Sequence, residues 1–306
     1  MRLVTRSDFD GLVCGALLKN VGVVDDFKFV HPKDLQDGIV EVTNNDILAN
    51  VPYVEGCGMW FDHHSSESER LGELRFEGLH RLLPSCARVI WEYYGGHARF
   101  PERLDALMDA VDKVDAGMLE ASDISHPEGW VLLGFVMDPR TGLGRYRDYR
   151  ISNYQLMLEL IDHCATKSAD EILALPDVKE RTDRYFSQEE LFRGMLKERA
   201  TQHGNVLVID LREQEEIYTG NRFTAYAMFP ECNISMQVMW GFRKQNIVFT
   251  VGYSILNRTS TVDVGSLMLQ YGGGGHIRVG TCQIPVPKAD QVLQELVAAL
   301  TDDTVK

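Results

Sequence analysis

The sequence has no cysteine pair at CxxC spacing, no apolar run approaching the ~20 residues of a membrane span, and no GxxxxGK[ST] phosphate loop. Its six cysteines, Cys14, Cys57, Cys86, Cys164, Cys232 and Cys282, are scattered. Such spacing excludes a zinc knuckle or a thioredoxin-like pair and leaves reduced, mostly buried thiols. The missing phosphate loop sets aside a P-loop kinase or NTPase. The first residues, MRLVTRSDFDG, carry no apolar h-region and no small-residue cleavage site, so no secretory signal is expected and a cytoplasmic location follows. Positive charge is also scarce: 45 Asp and Glu stand against 31 Lys and Arg, a formal net charge of −14. Duplex-binding proteins carry a basic footprint, so duplex DNA is excluded as a partner. A short phosphorylated substrate, neutralised by cations and a few local arginines, is not.

The 306 residues, 44% of them hydrophobic and 25% charged, suit a globular chain of two domains. MRLVT (1–5), FKFVH (27–31), ILANV (47–51) and GMWF (58–61) read as short strands. A helix follows Asp10 and Gly11, and a second opens at Cys86 and stops at Gly95–Gly96. Strands alternating with helices indicate a parallel sheet, whose ligands bind at the carboxyl ends of the strands. Asp8, Asp10, Asn50 and Asp62 all fall at or just beyond such ends. Residues 102–119 and 152–202 read as helical, the latter interrupted near Pro176, and the charged stretch ERTDRYFSQEELFRGMLKERA reads as a solvated connector. NVLVIDL (205–211), FTAYAMF (223–229), ISMQVMWGF (234–242) and NIVFTVGYS (246–254) then read as β-rich. The expectation is an α/β chain: an N-terminal parallel-sheet domain over 1–190 with helices on both faces, a helical connector over 191–204, and a smaller mixed α/β domain over 205–306.

Three clusters carry chemistry. Asp8 and Asp10, in SDFDG, place two carboxylates at a strand-to-helix turn that Gly11 allows to be sharp. They can hold cations, although Asp10 can equally cap the helix. Asp62-His63-His64 ends an apolar segment and adds imidazole to the same edge, a mixed donor set for which Mn²⁺ is the natural ion. Tyr271-Gly272-Gly273-Gly274-Gly275-His276 offers backbone N–H groups, unobstructed by Cβ atoms, to a phosphate; the alternative is a flexible turn. Arg258, in NRTS, suits bidentate phosphate recognition. Arg140, Arg145, Arg147 and Arg150 in DPRTGLGRYRDYR can line a cleft, or form a solvated loop pairing with Asp138 and Asp148. Asn221-Arg222 is a similar, weaker candidate.

DxDG, DHH and GGGGH in that order resemble the DHH phosphoesterase superfamily with its associated C-terminal domain, across nearly the whole chain. Its members include exonucleases, nanoRNases and exopolyphosphatase-like proteins. The resemblance implies a metal-dependent phosphoesterase acting between its two domains on a short phosphodiester, a nucleotide phosphate or polyphosphate. It implies metal ligands at Asp8, Asp10, His63 and Asp115, with Asp112 as the alternative to Asp115, and a phosphate-facing His64. Arg258, Gly273, Gly274, Gly275 and His276 match the substrate-binding motif. Two positions depart from the pattern. Arg6 stands where the family has a metal-binding His, and Asn50 where it has a bridging Asp, with Asp46 the poorer alternative. Arginine has no free lone pair for a cation, so one tightly bound Mn²⁺ is expected rather than two, with Arg6 beside Asp8 contributing charge to catalysis and Asn50 a neutral, weaker ligand. The implied partner is a phosphorylated small molecule or short oligonucleotide, with no membrane and with homodimerisation left open. A catalytically altered nucleotide- or phosphate-binding protein of the same fold is the competing reading.

Overall fold

The computed structural model describes residues 1–64, 67 and 75–301. Its contacts divide the chain into two units, 1–118 with 126–186 and 119–125 with 187–306. In the first, strands β1 (Arg2–Arg6), β2 (Asp26–Val30), β3 (Asp46–Ala49), β4 (Met59–Asp62) and β5 (Gly78–His80) form one sheet in the order β2-β1-β3-β4-β5. Every pairing is parallel. Strand β5 had no signal in the sequence, being three residues long. The strand residues alternate between two cores. Leu3, Ile47, Ala49 and Phe61 pack with helices α1 (Phe9–Asn20), α2 (Cys86–Tyr93), α3 (Asp105–Asp115), α4 (Gly129–Met137) and α5 (Asn153–Thr166). Val4, Leu48 and Trp60 pack on the other face with Leu35 of the short helix Pro32–Gln36. Two-sided burial explains why these strands read as continuous apolar runs.

Helix α1 is buried from Phe9 to Leu18, so it runs through the core rather than over it. Its entry is tight. The Asp8 side chain caps it by accepting the Gly11 N–H at 3.0 Å. A Cβ on Gly11 would lie 2.0 Å from the Arg6 carbonyl oxygen, so only glycine lets the chain fold back from strand to helix there.

In the second unit, β6 (Ala200–His203), β7 (Val206–Asp210), β8 (Ile234–Trp240), β9 (Ile247–Tyr253), β10 (Gly274–His276) and β11 (Val279–Ile284) form a sheet ordered β10-β11-β9-β8-β7-β6. Only β7–β8 is parallel. Helices Val264–Leu269 and Ala289–Thr301 cover one face; Glu189–Arg199 and Thr224–Met228 cover the other.

Two expectations are corrected. FTAYAMF is a helix over Thr224–Met228, not a strand. The Asn221 side chain accepts the Phe223 N–H at 2.9 Å and its carbonyl accepts that of Thr224 at 3.0 Å, which starts the helix, and alternating apolar residues cannot override those bonds. The charged stretch around 180–200 is not wholly solvated. Arg181 is fully buried, donating to Asn153 Oδ1, the Asp177 carbonyl and the Ile151 carbonyl, with its guanidinium 4.0 Å from the Tyr149 ring centroid.

Because a methyl group on Gly11 must displace backbone, Gly11→Ala is expected to lower the unfolding free energy by about 1–3 kcal/mol. Urea denaturation measures this, and an unchanged midpoint would show that the turn tolerates a side chain.

Candidate active site

The order β2-β1-β3 makes the carboxyl ends of β1 and β3 a topological switch point, where a crevice forms outside the sheet. Strand β1 leads into Arg6, Asp8 and Asp10, β3 into Asn50, and β4 into Asp62, His63 and His64. Asp10 is 1% exposed. Its Oδ2 accepts the Cys86 N–H at 3.0 Å and its Oδ1 the Ala87 N–H at 2.8 Å. These are the first residues of α2, where unpaired N–H groups and the helix dipole favour an anion. Burial nonetheless pushes Asp10 up to about 7, aided by the Asp8 charge and opposed by those two N–H groups.

His63 faces Asp10 with Nε2. Its Nδ1 is 3.1 Å from the Leu83 carbonyl oxygen, which can only accept, so Nδ1 donates there and Nε2 is the ring nitrogen turned toward the carboxylates. Nε2 is buried without a hydrogen-bond donor, 3.2 Å from Asp115 Oδ2 and 3.8 Å from Asp10 Oδ2. One potential ligand atom each of Asp10, His63 and Asp115 lies within 4.8 Å of the other two. Their mutual repulsion is relieved by a cation, and oxygen and imidazole donors in this number fit a divalent ion such as Mn²⁺. Asp115, the last residue of α3, is also raised to about 7, by loss of hydration first and then by Asp10.

The alternatives weighed for two positions are placed elsewhere. Asp112 accepts the Ser85 hydroxyl at 2.6 Å and Arg88 Nε at 2.7 Å, tying α3 to the start of α2. Asp46 begins β3 in register with Arg2, whose Nε it binds at 2.6 Å, and so lies at the end of the strand opposite Asn50.

Asp8 is occupied by protein donors. Oδ1 accepts Gly11 N–H and Asn50 Nδ2, each at 3.0 Å, and Oδ2 pairs with Arg6 Nε at 3.0 Å. Asn50 holds φ at 56°, a left-handed conformation that Asn tolerates better than most side chains. His64 Nδ1 binds Asp62 Oδ1 at 2.9 Å, and the other Asp62 oxygen takes the His64 N–H at 3.0 Å. Burial works against a charged His64, but Asp62 outweighs it and raises the imidazole to about 9, so it is a cation at neutral pH.

In the second unit, the glycine run is not a flexible turn. Gly274–His276 is an edge strand paired with β11. A Cβ on Gly273 would lie 2.1 Å from the Thr281 carbonyl oxygen, and one on Gly275 2.2 Å from that of Val279, so these two glycines permit close backbone packing. His276 is exposed on that strand, and Arg258, also exposed, donates Nε to the Ile255 carbonyl at 2.9 Å. Of the arginine-rich segment, Arg140 pairs with Asp138, Arg150 with Asp177, and Arg145 Nε with the Gly142 carbonyl, while Asp148 is taken by the more distant Arg184. Arg222 lies 4.2 Å over the Phe223 ring.

Sequence reading missed the groups that orient the site through main chain: the N–H pair of Cys86 and Ala87, and the Leu83 carbonyl. Ser85, which caps α2 by accepting the Arg88 N–H at 3.0 Å, was a usable signal for the first; a carbonyl leaves none.

No protein-family profile and no curated protein matches the chain. Solved structures do. A pGpG-specific phosphodiesterase, PggH from Vibrio cholerae, is 50% identical over 99% of each chain, with a TM-score of 0.88. An exopolyphosphatase-related protein from Bacteroides fragilis is 11% identical over 97% of this chain and 91% of its own, with a TM-score of 0.51. RecJ from Thermus thermophilus, in complex with Mn²⁺, is 13% identical over 97% of this chain and 51% of its own, with a TM-score of 0.50. The last two share the fold alone.

The raised Asp10 carboxyl has a consequence for stability. Below its ordinary 3.8 it is protonated folded and unfolded alike; as pH rises through about 7 the folded state alone must bury a charge, and stability is lost. In chelator, the melting temperature is therefore expected to fall between pH 5.5 and pH 8, and Mn²⁺ to restore it at pH 8. A melting temperature that is flat over this range and indifferent to Mn²⁺ would contradict the assignment of Asp10, His63 and Asp115 to one cation.

Proposed function

This chain belongs to the DHH phosphoesterase family, and from that premise we propose that it is a pGpG-hydrolysing phosphodiesterase that uses one divalent cation, Mn²⁺ by preference. The observation that carries this reading is the buried His63 Nε2, without a hydrogen-bond partner among the described residues, converging with Asp10 and Asp115 at the sheet's switch point. Half-identity over the full length to an enzyme of that specificity supports the substrate. Hydrolysis of the internal phosphodiester would release two mononucleotides.

In this reading Asp10, His63 and Asp115 hold the ion. Bound there, it would supply Lewis acidity toward the phosphoryl oxygens and lower the pKa of water. A single ion is favoured because the oxygens of Asp8 are engaged by Gly11, Asn50 and Arg6. Arg6 stands as a fixed cation on that side, paired with Asp8 Oδ2. His64 keeps a proton on Nε2 while Asp62 holds Nδ1, which presents a charged donor to a phosphoryl or leaving oxygen. Arg258, Gly273, Gly274, Gly275 and His276 are assigned to the part of the dinucleotide away from the scissile bond.

Among the described residues no helix is long and apolar enough to cross a membrane. All six cysteines are free, and reduced thiols agree with the proposed action in the cytoplasm. Polyphosphate is the weaker substrate proposal, since the protein related to exopolyphosphatases is similar in fold alone.

Purified protein is expected to hydrolyse pGpG with Mn²⁺ and not in chelator. Asp10→Ala and His63→Ala should each lose on the order of 10²-fold or more in kcat, and Arg258→Ala should act mainly on KM. Full activity in chelator, or in either of the first two variants, would refute the mechanism. Nucleotide binding without hydrolysis would favour the binding-protein reading.

A further inference from the structure

An acidic centre that receives a phosphodiester anion needs fixed positive charge aimed at the phosphoryl group. Arg6 and His64 are one source, each bound to a carboxylate of its own segment. Another comes from far along the chain. Arg140 lies in the single turn Pro139–Thr141 that follows α4. Helix α4 packs against α3, which ends in Asp115, and against α1, which carries Asp10. Gly134 of α4 lets the Phe9 ring approach to within 3.0 Å of where its Cβ would be, and Phe9 sits between Asp8 and Asp10.

The turn is a rigid mount. Asp138 Oδ1 accepts the Arg140 backbone N–H at 2.8 Å, and both its oxygens accept Arg140 Nε, at 2.8 and 3.1 Å. Pro139 fixes φ at the first position. The Thr141 hydroxyl donates to the Asp138 carbonyl at 2.8 Å, and Thr141 and Leu143 are buried behind it. Asp138 thus grips one edge of the guanidinium. Among the described residues no hydrogen bond engages Nη1 or Nη2, and the side chain is 46% exposed. Partial burial opposes the charge of Arg140, yet the carboxylates of Asp138, Asp8 and Asp115 outweigh it and hold the guanidinium above its ordinary value. The turn thus follows the helix that packs on Phe9, between Asp8 and Asp10, and Asp8 and Asp115 act on the Arg140 charge although its own salt bridge is with Asp138.

We infer that Arg140 is a further catalytic residue, binding two oxygens of the scissile phosphoryl group through Nη1 and Nη2, and that Asp138 is its positioning residue. A guanidinium tied at Nε presents its remaining N–H groups as a planar fork that matches phosphate. The identity of the phosphoryl group rests on the phosphodiesterase reading; the capacity to bind phosphate does not.

The test compares full-length wild type with Arg140→Ala, Arg140→Lys, Asp138→Asn and the Arg140→Ala/Asp138→Asn double variant. Calorimetry reads affinity for inorganic phosphate with Mn²⁺ present, and steady-state kinetics read kcat and KM for pGpG and for bis-para-nitrophenyl phosphate, which lacks base and terminal phosphate. Arg140→Ala is expected to bind phosphate about tenfold more weakly and to lose on the order of 10²-fold in kcat on both substrates, with Mn²⁺ affinity unchanged. Arg140→Lys should recover part of each, and still decides the matter through phosphate affinity if the alanine variant melts early. Asp138→Asn should lose less, and the double variant no more than Arg140→Ala alone, since Asp138 acts through Arg140. Undiminished phosphate affinity in Arg140→Ala would overturn the inference, and so would a loss confined to pGpG, which would move the contact to a remote part of the substrate. Wild-type protein inactive on both substrates would sink the functional reading instead, leaving the phosphate titration to decide Arg140.

Discussion

Removing the Asp10 carboxylate from water is unfavourable, and much of the first unit is arranged around that burial. The glycine after it lets β1 turn directly into a buried helix, which carries the carboxylate inward. The start of α2 meets it with two N–H groups, and Ser85 and Asp112 lock that helix end against α3. Helix α3 in turn delivers Asp115, and the Leu83 carbonyl turns the His63 ring so that Nε2 faces both acids. Each contact is modest alone. Together they bring one ligand atom each of Asp10, His63 and Asp115 within 4.8 Å of one another, a donor set that fits a divalent cation.

Beside that centre, the same electrostatic demand is answered with protein charge. Asp8 is neutralised by Arg6 and hydrogen-bonded by Asn50 and Gly11. Carboxylates likewise hold His64 and Arg140 in their charged forms. A chain with a formal charge of −14 can therefore present local cations to an anion. The pattern favours a small substrate over a long polyanion, because the positive groups are few and each is mounted on a carboxylate.

The glycines of the second unit show how one residue type answers to several constraints. Gly273 and Gly275 are required by the approach of the β11 backbone, whereas a Cβ on Gly274 would meet nothing within 4 Å. Absence of side chains in the run thus reflects sheet packing at two positions, and His276 stands exposed at the end of the strand.

Much was legible before the structure. The strands β1 to β4, α1 and α2 follow from apolar runs and capping residues, since both report local burial and backbone satisfaction. Asp8, Asp10, Asp62, His63 and His64 stand at strand ends, and a parallel sheet gathers such ends on one edge whatever the details. The rest was illegible because it depends on contacts remote in sequence. Asp112 and Asp115 are indistinguishable in VDKVDAG; the hydrogen bonds of Asp112 to Ser85 and Arg88 leave Asp115 to face His63. Local pattern likewise misread FTAYAMF, where the turn at Asn221 leads into helix, and the charged run containing Arg181, where Tyr149, Asn153 and two carbonyls receive the guanidinium. The sequence by itself determined which chemistry the chain holds and at which strand ends, because residue type and periodicity are local properties. Only the tertiary structure decided which carboxylate meets which cation, because that depends on which distant helix end, carbonyl or guanidinium reaches each buried charge first.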